Sequence, residues 1–211
     1  MSSPTALYIH IPFCATKCFY CDFNTYSFHK EQADAYLNAL QIEMNAYAPM
    51  GVLLQTVFIG GGTPSILSPN SLKKMFTNLQ ENFHIETDAE FTIECNPGTI
   101  DAEKLAIMRD SGVNRLSFGV QAMDDGILQQ IGRIHSVNDV LSSYQMAREH
   151  NFDNINLDLI FALPEQTLDQ WQYSLDKVIN LEPDHVSAYN LTLEKGTKFH
   201  DWWNAGKLVL P

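Results

Sequence analysis

Basic residues are scarce: 13 Lys and Arg stand against 25 Asp and Glu, which leaves a formal charge of −12 on 211 residues. A nucleic-acid groove or a patch for anionic lipid needs clustered Lys and Arg, so this balance argues against both. Long apolar runs are also missing. Without a stretch of about 18 apolar residues no transmembrane helix is readable, and the sequence carries no other mark of membrane association. The start, MSSPTALYIHIPF, has neither a basic n-region nor an adequate apolar h-region, so a signal peptide is not expected and the chain reads as cytoplasmic. Cysteine is limited to four residues, and in a chain of that compartment such a set favours metal or redox chemistry over disulfides.

What is present is a hydrophobic content of 45%, enough for a substantial core in one domain. Apolar segments rich in β-branched residues alternate with amphipathic stretches throughout. Strands are expected at Leu7–Ile11, Thr56–Ile59, Ala89–Glu94, Arg115–Val120, Asn154–Ile160 and His185–Leu193. Between them, helices are expected over Glu31–Tyr47, from Pro69 (with Ser68 as N-cap) to about Asn82, Asp101–Ser111, Asp125–Ile131, Val137–His150 and Thr167–Leu181. The stretch from Lys195 to Pro211 carries no clear pattern beyond a helical turn near Asp201–Ala205. Six β–α repeats predict an α/β fold with a parallel sheet. No glycine fingerprint of a dinucleotide fold follows the first strand, which favours a partial (β/α)6 barrel over a doubly wound sheet.

Three of the four cysteines fall within eight residues, as Cys14, Cys18 and Cys21, in the loop after the first strand. Thiolates at this CxxxCxxC spacing can close on one face of a cubane and leave its fourth iron without a protein ligand. Most clusters of this type take four cysteines, and no fourth lies nearby. A zinc site is the competing reading. It needs four N or S ligands, usually in paired spacing, and here would have to recruit His10 or Cys95.

Each expected strand also ends in a polar or glycine residue. These are the cysteine loop, Gly60–Thr63, Glu94, Gln121, Asp158, and the pair Tyr189 and Asn190. In β/α barrels the C-terminal strand ends form the active face, so these residues predict a single mouth. Individually they are less telling: Gly60–Thr63 could be only a tight turn, His10 a satisfied core histidine, and Arg133 a surface ion-pair partner. Glu94 is costly to bury without a partner. Cys95, beside it, points to the opposite face and reads as a small buried hydrophobe.

The segment YIHIPFC at 8–14, with Cys18, Cys21 and the following CDFNTY, resembles the radical S-adenosylmethionine superfamily in its coproporphyrinogen oxidase-like branch. GGGTPS, ECNPGT, RLSFGVQ, GRIH and NLDLIFALPEQT recur in the order of that branch and extend the resemblance over essentially the whole chain. The resemblance implies a partial (β/α)6 barrel over residues 1–194, and in 195–211 the start of a connector to a further C-terminal domain. It implies a [4Fe–4S] cluster on Cys14, Cys18 and Cys21, with S-adenosylmethionine chelating the open iron. Electrons for cleaving that molecule would come from a donor such as flavodoxin or ferredoxin. By the same resemblance, Tyr8 lies against the sulfonium and Tyr20 presents its backbone to adenine. Gly61 and Gly62, with Thr63 beside them, meet the methionine amino group, and Glu94 belongs to the same pocket. Gln121, Arg133 and Asp158 match positions that hold a second S-adenosylmethionine in the oxidases.

Two groups of the branch compete. The oxygen-independent coproporphyrinogen III oxidases decarboxylate propionates; the HemW-type haem chaperones carry haem as cargo to haem-accepting proteins. The oxidases have an extra cysteine two residues beyond the third cluster cysteine, where this chain has Phe23, and a long N-terminal extension for which the strand at Leu7 leaves no room. CDFNTY, ECNPGT and GRIH are closer to the chaperones, so a haem chaperone is the expectation. The chaperone motif linked to haem binding would lie beyond Pro211, and no histidine of this chain is expected to ligate haem iron.

Overall fold

The computed structural model describes residues 5–211; the first four residues of the expected core domain, where no signal peptide was expected, lie outside the described residues. Six strands run in sequence order across one sheet: β1 Ala6–Ile11, β2 Leu53–Gly61, β3 His84–Cys95, β4 Arg115–Gln121, β5 Asn154–Phe161 and β6 His185–Asn190. All five pairings are parallel. Between them lie α1 Lys30–Tyr47, α2 Pro69–Asn82, α3 Ala102–Asp110, α4 Asp125–Gln130, α5 Val137–Glu149 and α6 Leu168–Ile179, and α7 Lys198–Asn204 follows β6. Within the described residues β1 and β6 pair on one side only, so the barrel is open. This is the α/β partial barrel expected from the β–α repeats.

Side-chain alternation gives the sheet two unlike faces. Ile9 and Ile11, Val57 and Ile59, Phe91, Ile93 and Cys95, Leu116, Phe118 and Val120, and Ile155, Leu157 and Leu159 are all buried in one core. Helical residues Leu37, Leu72, Met75, Phe76, Leu79, Leu105, Met108 and Val178 close that core from outside. The intervening positions are mostly polar or small, Tyr8 and His10, Gly60, Thr92 and Glu94, Ser117 and Gly119, Asn156 and Asp158, and Ser187 and Tyr189, with Phe58 and Ile160 as apolar exceptions. They make the concave face polar, whereas a closed barrel usually packs branched apolar side chains there.

Local signals set the helix starts. The Ser68 side chain accepts from the Ser71 N–H at 3.1 Å with Pro69 in the first turn. Ser136 with Asp139, and Thr167 with Gln170, form complete capping boxes. Gly112, with φ +91, follows the end of α3. β2 begins at Leu53 rather than Thr56, and three larger differences from the sequence expectation follow. β3 begins at His84 rather than Ala89, because its first residues are polar and pair with Leu53 and Leu54 ahead of a register shift. β6 stops at Asn190, and Leu191 turns into a second apolar cluster with Phe199 and Leu208. A whole helix, α7, stands where only a turn was expected, capped by Thr197 accepting from the His200 N–H at 3.2 Å. No helix among the described residues is long and apolar enough to cross a membrane.

Phe91 lies 1% exposed, edge-on to Phe76 of α2 with ring centroids 5.9 Å apart. Truncation there removes the contact that joins sheet to helix and leaves a void. Phe91→Ala should cost about 3–5 kcal/mol of unfolding free energy. Tyr173→Ala, on the exposed side of α6, should stay within about 0.5 kcal/mol of the parent in the same denaturant titration.

Candidate cofactor site

The C-terminal strand ends surround a cleft of ≈ 300 Å³. Cys14, Cys18, Cys21, Tyr20, Gly61, Gly62, Thr63, Glu94, Gln121, Arg133 and Asp158 all line it, as do Tyr189 and Asn190. Of the residues expected to hold the cluster or S-adenosylmethionine, Tyr8 alone lies outside the lining. Its hydroxyl is 2.9 Å from His10 Nδ1, its ring stacks on Phe58 at 6.0 Å, and more than half of it is exposed beside the cleft.

The cysteine loop is closed at its base by two-residue strands, Phe13–Cys14 and Tyr26–Ser27, running parallel. Their register is extended by Tyr26 N–H to Pro12 O at 2.7 Å and Phe28 N–H to Cys14 O at 2.9 Å. The glycine loop after β2 docks directly on this base: Gly62 N–H donates to Ile11 O and Thr63 N–H to Phe13 O, both at 2.8 Å. A Cβ on Gly62 would meet Phe13 O at 2.6 Å and Phe13 N at 2.8 Å, so only glycine allows this approach. Between the second and third cysteines the backbone is gripped from both sides. Phe19 N–H donates to Ile131 O at 3.1 Å, after α4, and Phe199 N–H of α7 donates to Phe19 O at 3.0 Å. The Phe19 ring packs edge-on to Trp202 at 5.1 Å, with Lys198 Nζ 4.5 Å above it.

Two of the thiol sulfurs receive hydrogen bonds from side chains. Thr63 Oγ1 donates to Cys14 Sγ at 3.6 Å, and Arg133 Nη1 donates to Cys18 Sγ at 3.5 Å. Burial raises the Cys14 and Cys21 thiols above their ordinary value; the Thr63 bond opposes this at Cys14, and a backbone bond from Phe23 does so at Cys21. Coordination to a metal would override burial, since a ligating thiol is deprotonated outright. Thr25 Oγ1, in the cleft wall, is buried beside Cys14, whose thiol it helps to lower, and has no other partner. Three like sulfur ligands on one wall, two of them with donors already aimed at them, fit a sulfur-ligated iron–sulfur cluster. The fourth cysteine stands apart: Cys95 is wholly buried on the convex side, where burial pushes its thiol up to about 12.

Opposite the cysteines the walls are carboxylate and amide. Glu94 Oε2 accepts from Gly61 N–H at 2.9 Å, while burial, followed by the neighbouring Asp158, raises its carboxyl. Asp158 accepts from Ser117 Oγ at 3.0 Å and from Asn156 Nδ2 at 2.8 Å, which fixes both of its oxygens. Gln121 sits at a break in the β4–β5 register with φ +70, a backbone region uncommon outside glycine. The register break occurs where the strand's last side chain joins the cleft wall. Asn96 was absent from the expected set although it bridges Thr63 and Arg133 through both ends of its amide. Its only sequence signal is position, directly after Glu94-Cys95 at a strand end. Ser117 and Thr25 likewise line the cleft without a motif to announce them.

The model of the Radical SAM superfamily matches residues 8–178. The chain is 47% identical over 207 residues to the haem chaperone HemW of Bacillus subtilis, covering 97% of this chain and 55% of that protein. It is 42% identical over 214 residues to the haem chaperone HemW of Synechocystis, covering 99% and 52%. Among solved structures it is similar to the coproporphyrinogen III oxidase (HemN) of Escherichia coli, a radical SAM enzyme, with a TM-score of 0.88 at 32% identity over 99% of this chain and 49% of that one. The chain thus spans about half the length of the curated relatives it matches.

Behind the cleft, His135 is 8% exposed and its Nε2–H donates to Val120 O at 3.2 Å. Burial, then the Arg133 charge, pulls its pKa down to about 4. An unfolded chain binds this proton below about pH 6.5 and the folded one only near pH 4, so the stability is complete above pH 6.5 and is lost as pH falls through that window. His135→Gln keeps a donor for Val120 without the titration. Between pH 6.5 and 4 it should lose roughly 3 kcal/mol less stability than the parent, read from denaturant midpoints at each pH.

Proposed function

The chain belongs to the radical S-adenosylmethionine superfamily, and from that membership we propose that it holds a [4Fe–4S] cluster on Cys14, Cys18 and Cys21 and S-adenosylmethionine across the same cleft. The observation that carries this is the convergence of three cysteines, a glycine loop and two carboxylates on one cleft from four different strand ends. When bound, the cluster and S-adenosylmethionine together supply one-electron chemistry at the sulfonium centre. The chain's own residues bind and orient. Gly61 and Gly62 bring backbone to the methionine end, and Glu94, steadied by the Gly61 N–H, accepts from an ammonium or a ribose hydroxyl. Tyr20, behind the loop, presents its backbone to adenine, while Tyr8 covers the sulfonium side from the rim. Gln121, Arg133 and Asp158, of which Arg133 also reaches Cys18 Sγ, line the same cleft and would hold a second S-adenosylmethionine.

For the whole protein we propose a haem chaperone, loaded with haem and delivering it to haem-accepting proteins in the cytoplasm or at the membrane, with a flavodoxin or ferredoxin as electron donor. In this reading residues 1–194 are the cluster-binding core and 195–211 open the connector to a further domain. Identity to two haem chaperones over nearly the whole of this chain supports it. Phe23 supports it as well: it is exposed in the cleft wall, where an oxidase would carry a further cysteine. The likeness to the coproporphyrinogen III oxidase favours the second reading, oxidative decarboxylation of propionates.

Anaerobic reconstitution should load about four irons per chain with a 4Fe–4S spectrum, and Ala at Cys14, Cys18 or Cys21 should each abolish it. Stoichiometric zinc without that spectrum would sink the cluster assignment. The full-length protein should bind haem and leave coproporphyrinogen III untouched under reducing, anaerobic conditions with S-adenosylmethionine. Turnover of coproporphyrinogen would reverse the order of the two readings.

A further inference from the structure

Arg133 is held at the far end of a hydrogen-bonded chain whose direction is fixed. A guanidinium can only donate. Arg133 Nη2 lies 2.7 Å from Asn96 Oδ1, so that end of the amide is the acceptor, and the amide nitrogen must face the other way. Asn96 Nδ2 then donates to Thr63 Oγ1 at 2.8 Å. A threonine hydroxyl has one proton to give, and with its lone pair engaged by Asn96 that proton is directed to Cys14 Sγ at 3.6 Å. The same guanidinium donates through Nη1 to Cys18 Sγ at 3.5 Å.

Backbone geometry permits the arrangement. Arg133 also donates to Gly119 O, and a Cβ on Gly119 would stand 3.0 Å from Arg133 Nη2 and 3.1 Å from Asn96 Oδ1. Asn96 is anchored separately, its N–H donating to Ser65 Oγ at 3.2 Å and its carbonyl accepting from Thr99 Oγ1 at 2.7 Å. None of these anchors depends on the cysteine loop, so the donors are in place before the sulfurs are occupied.

We infer that Asn96 is a positioning residue that lets one arginine donate hydrogen bonds to two of the three cysteine sulfurs, directly to Cys18 and through Thr63 to Cys14, and so raises the reduction potential of the cluster bound there. The inference rests on the cluster assignment above. Hydrogen bonds to cluster sulfurs stabilise the electron-rich reduced state more than the oxidised one. Cys21 receives no side-chain hydrogen bond, only one from the Phe23 backbone, so the effect of the network is unequal across the three ligands.

The test is the midpoint potential of the cluster in the reconstituted full-length protein, followed by electron paramagnetic resonance during an anaerobic titration without S-adenosylmethionine. Thr63→Val keeps the side-chain shape and removes the donor, and should shift the potential to a more negative value. Thr63→Ser, which restores the hydroxyl, should return it to that of the parent. Asn96→Asp offers only acceptors to Thr63, diverting its proton from Cys14, and should also shift the potential negative. An unchanged potential in Thr63→Val overturns the inference; if that variant fails to load iron, an unchanged potential in Asn96→Asp does so. A parent protein that loads no 4Fe–4S cluster would instead overturn the cluster assignment itself.

Discussion

Parallel strands in sequence order place every C-terminal end on one rim, and the strict alternation of side chains then decides what each face of the sheet can be. The convex face is paid out entirely in apolar residues, from Ile9 through Leu159, and is sealed by helices. That burial makes the sheet stable enough to carry a concave face of carboxylates, amides and hydroxyls. Those polar groups satisfy one another where they can, as Ser117, Asn156 and Asp158 do.

The sequence made the sheet legible because its apolar residues repeat with a period of two and its helices begin on recognisable caps. Ser68 before Pro69 needed no tertiary context. The start of β3 was hidden because its first residues are polar and pair without a buried face. α7 was hidden for the opposite reason: its buried side is essentially one residue, Phe199, which leaves no periodic stripe to detect.

The cleft was legible to the extent that chemistry is carried by unusual residues at strand ends. Eleven of the twelve residues singled out as ligands or cofactor contacts line it. Tyr8 stands outside because its hydroxyl is committed to His10 rather than turned into the cleft. Asn96 escaped notice because its importance is relational. It joins Thr63 and Arg133, which lie 33 and 37 residues away along the chain, and an Asn before Pro otherwise reads as an ordinary turn residue.

Phe19 has a consequence of a mechanical kind. Its amide is tied to the end of α4 and its carbonyl to the start of α7, so the cysteine loop is strung between two helices rather than resting on the sheet alone. A displacement of α7 would therefore reach the backbone between Cys18 and Cys21 through one hydrogen bond, without passing through the sheet. The helix after the sixth strand is thereby a second, independent mooring of the cysteine loop.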